Sequence, residues 1–137
     1  MHISMIKKIA LSLFLVTVLV SCRKNVSNFA TMDFTATEYD FGTITEGQKV
    51  EKKFTFTNSG KSDLIISNVQ GSCGCTVGEY PTAPVKHNAQ GVIKVTFNSE
   101  GKHGKQEKSV TISVNTKNRK EMLQIFAEVQ PAIAQKQ

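Results

Sequence analysis

Cysteine and histidine are the residues of this chain best suited to chemistry, and there are only three of each in 137 residues. Two of the cysteines flank a single glycine in Gly71-Ser72-Cys73-Gly74-Cys75-Thr76. Residues i and i+2 of an extended strand share a face with Cα atoms about 6.5–7 Å apart, the far edge of disulfide geometry. A bond between Cys73 and Cys75 therefore needs the bend that Gly74 permits. Closing so short a loop removes little unfolded-state entropy, about 1.6 kcal/mol, so the bond would be a poor staple and an easily reduced one.

Four readings of the pair stay open. The leading one is packing: two small side chains at a strand end, with or without an inert disulfide. Thiol-disulfide exchange is the second, but Cys-Gly-Cys lacks the CxxC spacing at a helix N-terminus that lowers a thiol pKa. The third is a Cu(I) or Zn(II) clasp of Cys73 and Cys75 completed by His87 or His103, because soft thiolates select those ions. The chain supplies only half of a structural zinc set, and His103 stands in a Gly-Lys-His-Gly loop expected to face water. An intermolecular disulfide is the fourth. Nothing else resembles a nucleophile elbow, a phosphate loop or a carboxylate pair, so no enzyme and no cofactor are expected.

The remaining cysteine belongs to a different signal. MHISMIKK is basic, IALSLFLVTVLV is uncharged and apolar, and Leu19-Val20-Ser21 precedes Cys22. That is the layout of a secretory signal, too short and wrongly flanked for a good spanning helix. The cysteine at the cleavage point makes it a lipobox, with palmitoyl-type acyl chains on Cys22 anchoring the mature protein to a membrane surface. Loss of residues 1–21 removes Lys7 and Lys8, leaving 15 basic against 11 acidic residues and a formal charge of +4. Scattered lysines without interleaved aromatics exclude a nucleic-acid partner. Outside the cytoplasm, paired thiols tend to be oxidised. Arg23 stands where some bacteria place an inner-membrane retention aspartate, and no acidic run follows Cys22. Both facts favour the periplasmic face of the outer membrane.

The elements that must position Cys73 and Cys75 are strands. Val50, Phe54 and Phe56 alternate with Glu51, Lys53 and Thr55, and the same period of two runs through VIKVTFN, SVTISVN and MLQIFAEV. Such alternation describes strands with one buried and one wet face. DLIISNV is apolar on consecutive residues, which suits a more central strand. Asn- and Gly-rich turns separate the runs, and no stretch carries a helical period. The expected architecture is an all-β, immunoglobulin-like antiparallel β-sandwich of about seven strands. Residues 1–21 form the cleaved signal, 22–32 the lipidated cysteine and tether, 33–130 the sandwich and 131–137 a frayed tail.

Tyr39-Asp40-Phe41-Gly42, Gly47, Phe54-Thr55-Phe56-Thr57-Asn58-Ser59-Gly60, Leu64-Ile65-Ile66 and Ser72-Cys73-Gly74-Cys75-Thr76 stand in an order with a precedent. The set resembles a bacterial family of short envelope lipoproteins of unknown function, related to Hydin-like and major-sperm-protein-like immunoglobulin folds. The resemblance covers about residues 33–115 and implies the sandwich, secretion and lipidation, but no reaction. One departure is His87-Asn88, where the family has Pro-Gly; asparagine tolerates the left-handed conformation such a turn uses. The functional expectation is a lipid-anchored, noncatalytic binding or scaffold module. Its partners would be the membrane, through Cys22, and an envelope protein or glycan. The alternative is a thiol-redox or Cu/Zn-handling periplasmic protein acting through Cys73 and Cys75.

Overall fold

A computed structural model describes residues 28–74 and 76–133. Cys22 and Cys75, and with them the expected lipidation site and half of the cysteine pair, lie outside the described residues. The chain forms β1 (Met32–Phe34), β2 (Glu38–Thr45), β3 (Lys49–Asn58), β4 (Ile66–Gly71), β5 (Thr76–Glu79), β6 (Gln90–Asn98), β7 (Gly104–Val114) and β8 (Lys120–Gln130). They make two four-stranded sheets, ordered β1-β3-β6-β5 and β2-β8-β7-β4. No helix is present among the described residues, so none there could cross a membrane.

The sheets face each other because each long strand carries one apolar set. Phe54 and Phe56 of β3, Ile93, Val95 and Phe97 of β6, Val110 and Ile112 of β7, and Leu123 and Ile125 of β8 are all buried. Their alternating neighbours are partly or fully exposed, so the period of two in the sequence is the period of two in burial. Pressing two such faces together removes both from water and yields a sandwich. Gly91 fits this core for a steric reason: a Cβ there would overlap the ring of Phe56.

Three features differ from the sequence expectation. The described residues form eight strands, the short β1 being too brief to show a period. All strand pairings are antiparallel except one, because β2 runs parallel to β8. The chain leaves β2 for the other sheet and returns to β8 much later, and a long crossover is what allows parallel neighbours. β4 is also an edge strand rather than a central one. Leu64 and Ile66 are buried, but Ile65 between them is 48% exposed, and Leu64 precedes β4 in a separate bridge to Val85. The apolar run thus turns a corner instead of filling two covered faces.

β3 and β6 define two ends of the sandwich, with Lys49 opposite Asn98 at one and Thr57 opposite Gln90 at the other. The first described residues arrive at the second, here called the amino-terminal end. Ala30, within the segment expected as tether, is buried and bridges Thr116, and Met32 opens β1.

Candidate functional site

The Cys73 turn lies where the two sheets come closest at one side. β4 and β5 are edge strands of different sheets, and residues 72–75 carry the chain from one to the other. Two glycines permit the approach: a Cβ on Gly71 would overlap the backbone of Thr76, and one on Gly78 the side chain of Val69. The Ser72 amide donates to the Ser109 carbonyl at 2.8 Å, the Ser109 amide donates to Ser72 Oγ at 3.2 Å, and the Thr76 amide closes the turn on the Cys73 carbonyl at 3.2 Å. Cys73 is half-buried and disulfide-bonded, its partner sulfur lying outside the described residues, and its Sγ is 3.7 Å from Thr76 Oγ1. An open cleft of about 290 Å³ runs past Val69, Gly71, Cys73 and Thr76, and no charged side chain lines it among the described residues.

The histidines weighed as metal ligands are not brought to this turn. His87 sits at the amino-terminal end with Nδ1 2.5 Å from the Gly60 carbonyl oxygen. A carbonyl only accepts, so Nδ1 carries the hydrogen. His103 lies at the opposite end, its Nδ1 3.8 Å from Glu46 Oε2. The nine residues of β6 separate the two, a span of about 30 Å at about 3.3 Å per residue. Among the described residues no three His, Cys, Asp or Glu side chains gather as a metal group.

The motif residues act as joints. Asn58 is fully buried, and its Nδ2 donates to the carbonyls of Ser62 at 2.8 Å and Val85 at 2.9 Å. Its Oδ1 accepts from the amides of Gly60 at 3.1 Å and Thr31 at 3.3 Å. One amide group therefore ties together the β3–β4 turn, the loop before β6 and the incoming amino-terminal segment. Gly60 lies against that segment so closely that a Cβ would overlap the Thr31 amide and the Phe29 carbonyl. Gly42 has φ of 68° and its amide is held by Asp40 Oδ1 at 2.8 Å, which shapes the bulge in β2. Asn88 occupies a left-handed conformation with φ of 62°, as expected for the His87-Asn88 turn.

Sequence reasoning missed an uncovered backbone edge. β1 pairs only with Phe56–Asn58 of β3, and the Thr35 amide extends the ladder to the Thr55 carbonyl. The amide and carbonyl of Asn58 both point toward the β6 side, bonding Ala89 and Asn88. By alternation, Lys53, Glu51 and Lys49 direct theirs to the other side, where no strand among the described residues covers them. The only hint in the sequence was the shortness of the apolar run before β2.

The profile of a family described as a protein of unknown function (DUF1573) matches residues 32–129. No curated protein matches the sequence. A protein of unknown function from Porphyromonas gingivalis W83 is similar in structure, with TM-score 0.65 and 14% identity over 77% of this chain; the chain spans 50% of that protein's length. The PapD-like domain 7 of human CEP192 superposes at TM-score 0.63 and 9% identity, covering 82% of this chain and 94% of that domain. The secreted serine protease VesC from Vibrio cholerae reaches TM-score 0.54 at 13% identity, over 75% of this chain but 23% of the protease. At such identities the likeness concerns the sandwich fold.

Proposed function

The chain belongs to the DUF1573 family, whose function is unknown, and on that premise we propose that it is a lipid-anchored, noncatalytic binding or scaffold module of the bacterial cell envelope. In this reading Cys22 carries the acyl chains, and the domain faces the periplasm from the outer membrane. The observation that carries the binding role is the uncovered edge of β3. Three residues there, Lys49, Glu51 and Lys53, present backbone donors and acceptors to the side of the sandwich. An extended segment of an envelope protein can add to such an edge, its main chain giving affinity and its side chains specificity.

The test places a photocrosslinking residue at Glu51 or Lys53, and as a control at Thr111 on the other sheet, in cells carrying the complete chain. The expected result is a discrete adduct from the β3 positions and none from Thr111. Adducts absent from both, or equal at both, would remove strand addition at this edge. Mass analysis of Cys22 tests the anchor separately.

Thiol exchange is kept as a second reading for one observation: the disulfide-bonded Cys73 borders an open cleft instead of the core. A reduction potential near about −180 mV would support it, whereas one below about −300 mV marks an inert bond. Copper or zinc bound stoichiometrically by the native chain and lost in Cys75→Ser would support the metal variant of that reading.

A further inference from the structure

We propose that the amino-terminal end of the sandwich is a docking face for an anionic lipid bilayer, so that the anchored domain rests this end on the headgroups instead of standing off on its tether. The inference rests on the lipid-anchoring reading and adds an orientation to it.

The first observation is where the chain comes in and how little of it is free. Ser62 Oγ donates to the Asn28 carbonyl, the Lys61 amide donates to the Phe29 carbonyl at 3.3 Å, and Ala30 bridges Thr116. The incoming segment is therefore clamped between the β3–β4 and β7–β8 turns. From Cys22 to Asn28 is a step of six residues. Even fully extended these reach about 20 Å, so this end is kept within that distance of the anchor.

The second observation is charge. Lys61, Lys86, Lys117, Arg119 and Lys120 stand at this end, all exposed, against Asp33, Asp63 and Glu121. The three acids are engaged locally: Asp63 pairs with Lys86 at 2.5 Å, Asp33 accepts from Ser59 Oγ, and Glu121 accepts from Thr116 Oγ1 at 3.1 Å. Lys61, Lys117, Arg119 and Lys120 enter no ion pair among the described residues. The opposite end balances Lys49, Lys102 and Lys105 with Glu46, Glu100 and Glu128.

The third observation is apolar. Phe29 is 51% exposed and Ile65 48% exposed, and together with Arg119 they border a cleft of about 470 Å³. On its other side Phe29 borders a second cleft, of about 520 Å³, with Lys61 and Lys117. An aromatic ring and an aliphatic side chain ringed by unpaired cations match the headgroup region, where apolar groups reach the acyl boundary and lysines meet phosphates.

The chain has no tryptophan, so Phe29→Trp supplies a single reporter, with Glu100→Trp, exposed at the opposite end of the sandwich, as its control. The complete lipidated protein is reconstituted into phosphatidylcholine vesicles with or without phosphatidylglycerol. The expected result is a blue shift, and quenching by brominated lipid, for the Phe29→Trp chain alone and only on the phosphatidylglycerol vesicles. Removing the positive charge of Lys61, Lys117, Arg119 or Lys120 by glutamine should weaken the docked population about fivefold per residue. Raising salt should do the same to the reporter chain with all four cations intact, which needs no further substitution. A Phe29→Trp signal insensitive to lipid charge and salt, on a chain shown by mass to be acylated and by flotation to be bound, would overturn docking while leaving the anchor in place. An unmodified Cys22 would overturn the anchor and this proposal with it.

Discussion

Lys52 of β3 and Tyr39 of β2 belong to different sheets, and the lysine Nζ lies 4.0 Å from the centroid of the tyrosine ring. Tyr39 is itself packed edge to face on Phe41, centroids 5.0 Å apart. The three side chains close the side of the sandwich beside the uncovered β3 edge. Lys52 is on the inward-facing set of β3, with Val50 and Phe54. An inward-pointing charge on an edge strand is a device against indiscriminate pairing, because a second sheet edge would have to bury it.

Lys52→Val should therefore raise self-association, read as a concentration-dependent increase in mass by light scattering relative to the native chain. Equal masses across the range would remove the guarding role. Tyr39→Leu should lower unfolding free energy by about 1–2 kcal/mol, through loss of the ring pair and the cation contact.

Asn58→Ala strips four hydrogen bonds at once, taking this partner from the Gly60 and Thr31 amides and the Ser62 carbonyl, while the Val85 carbonyl keeps the Leu64 amide. A destabilisation of about 3 kcal/mol or more is expected in urea unfolding, large for a single residue at a strand end. A loss below about 1 kcal/mol would mean that water takes over the amide's role.

Gly60→Ala should dislodge the amino-terminal segment before it unfolds the body, since the atoms nearest the added methyl are backbone atoms of residues 29–31. Limited proteolysis near Phe29 is expected to accelerate well before the global transition is reached. Unchanged cleavage kinetics would show that the turn absorbs the methyl.

The hydrogen bond from Lys94 to Glu79, at 2.8 Å, holds the lysine above its usual 10.5; burial opposes this, and the charges of Glu51 and Glu79 reinforce it. A folded-state pKa raised above the unfolded value contributes stability that is complete below the unfolded pKa and lost as pH rises through the folded one. The gap in urea midpoint between the native chain and Lys94→Gln should stay constant from about pH 7 to 9.5 and narrow only above about 10.5. A gap that closes near neutral pH would contradict this assignment.

Much of the fold was legible because strand alternation is local. Phe54, Phe56, Ile93, Val95 and Phe97 could be placed inside from their own neighbours alone, and the Asn88 turn from the tolerance of asparagine for positive φ. The parallel pairing of β2 with β8 was not legible, since nothing in either strand states which neighbour it takes. Ile65 misled for a related reason: its apolar flanks suggest a strand covered on both faces, whereas with only two layers of sheet its side, opposite to buried Leu64 and Ile66, is left in water. The roles of Asn58 and Gly60 were readable as a turn and no more, because Thr31 and Val85 each lie 27 residues from Asn58.

The sequence by itself determined an all-β sandwich and its inward residues, and it set the chemical limits of a lone Cys-Gly-Cys pair. Side-chain period and residue type are properties of adjacent positions, so one strand suffices to display them. Tertiary structure alone decided which backbone edge stays open, which end collects unpaired cations beside the incoming chain, and that His87 and His103 stand at opposite ends of β6. Those are relations between segments far apart in the chain, and they come into existence only when the two sheets close on each other.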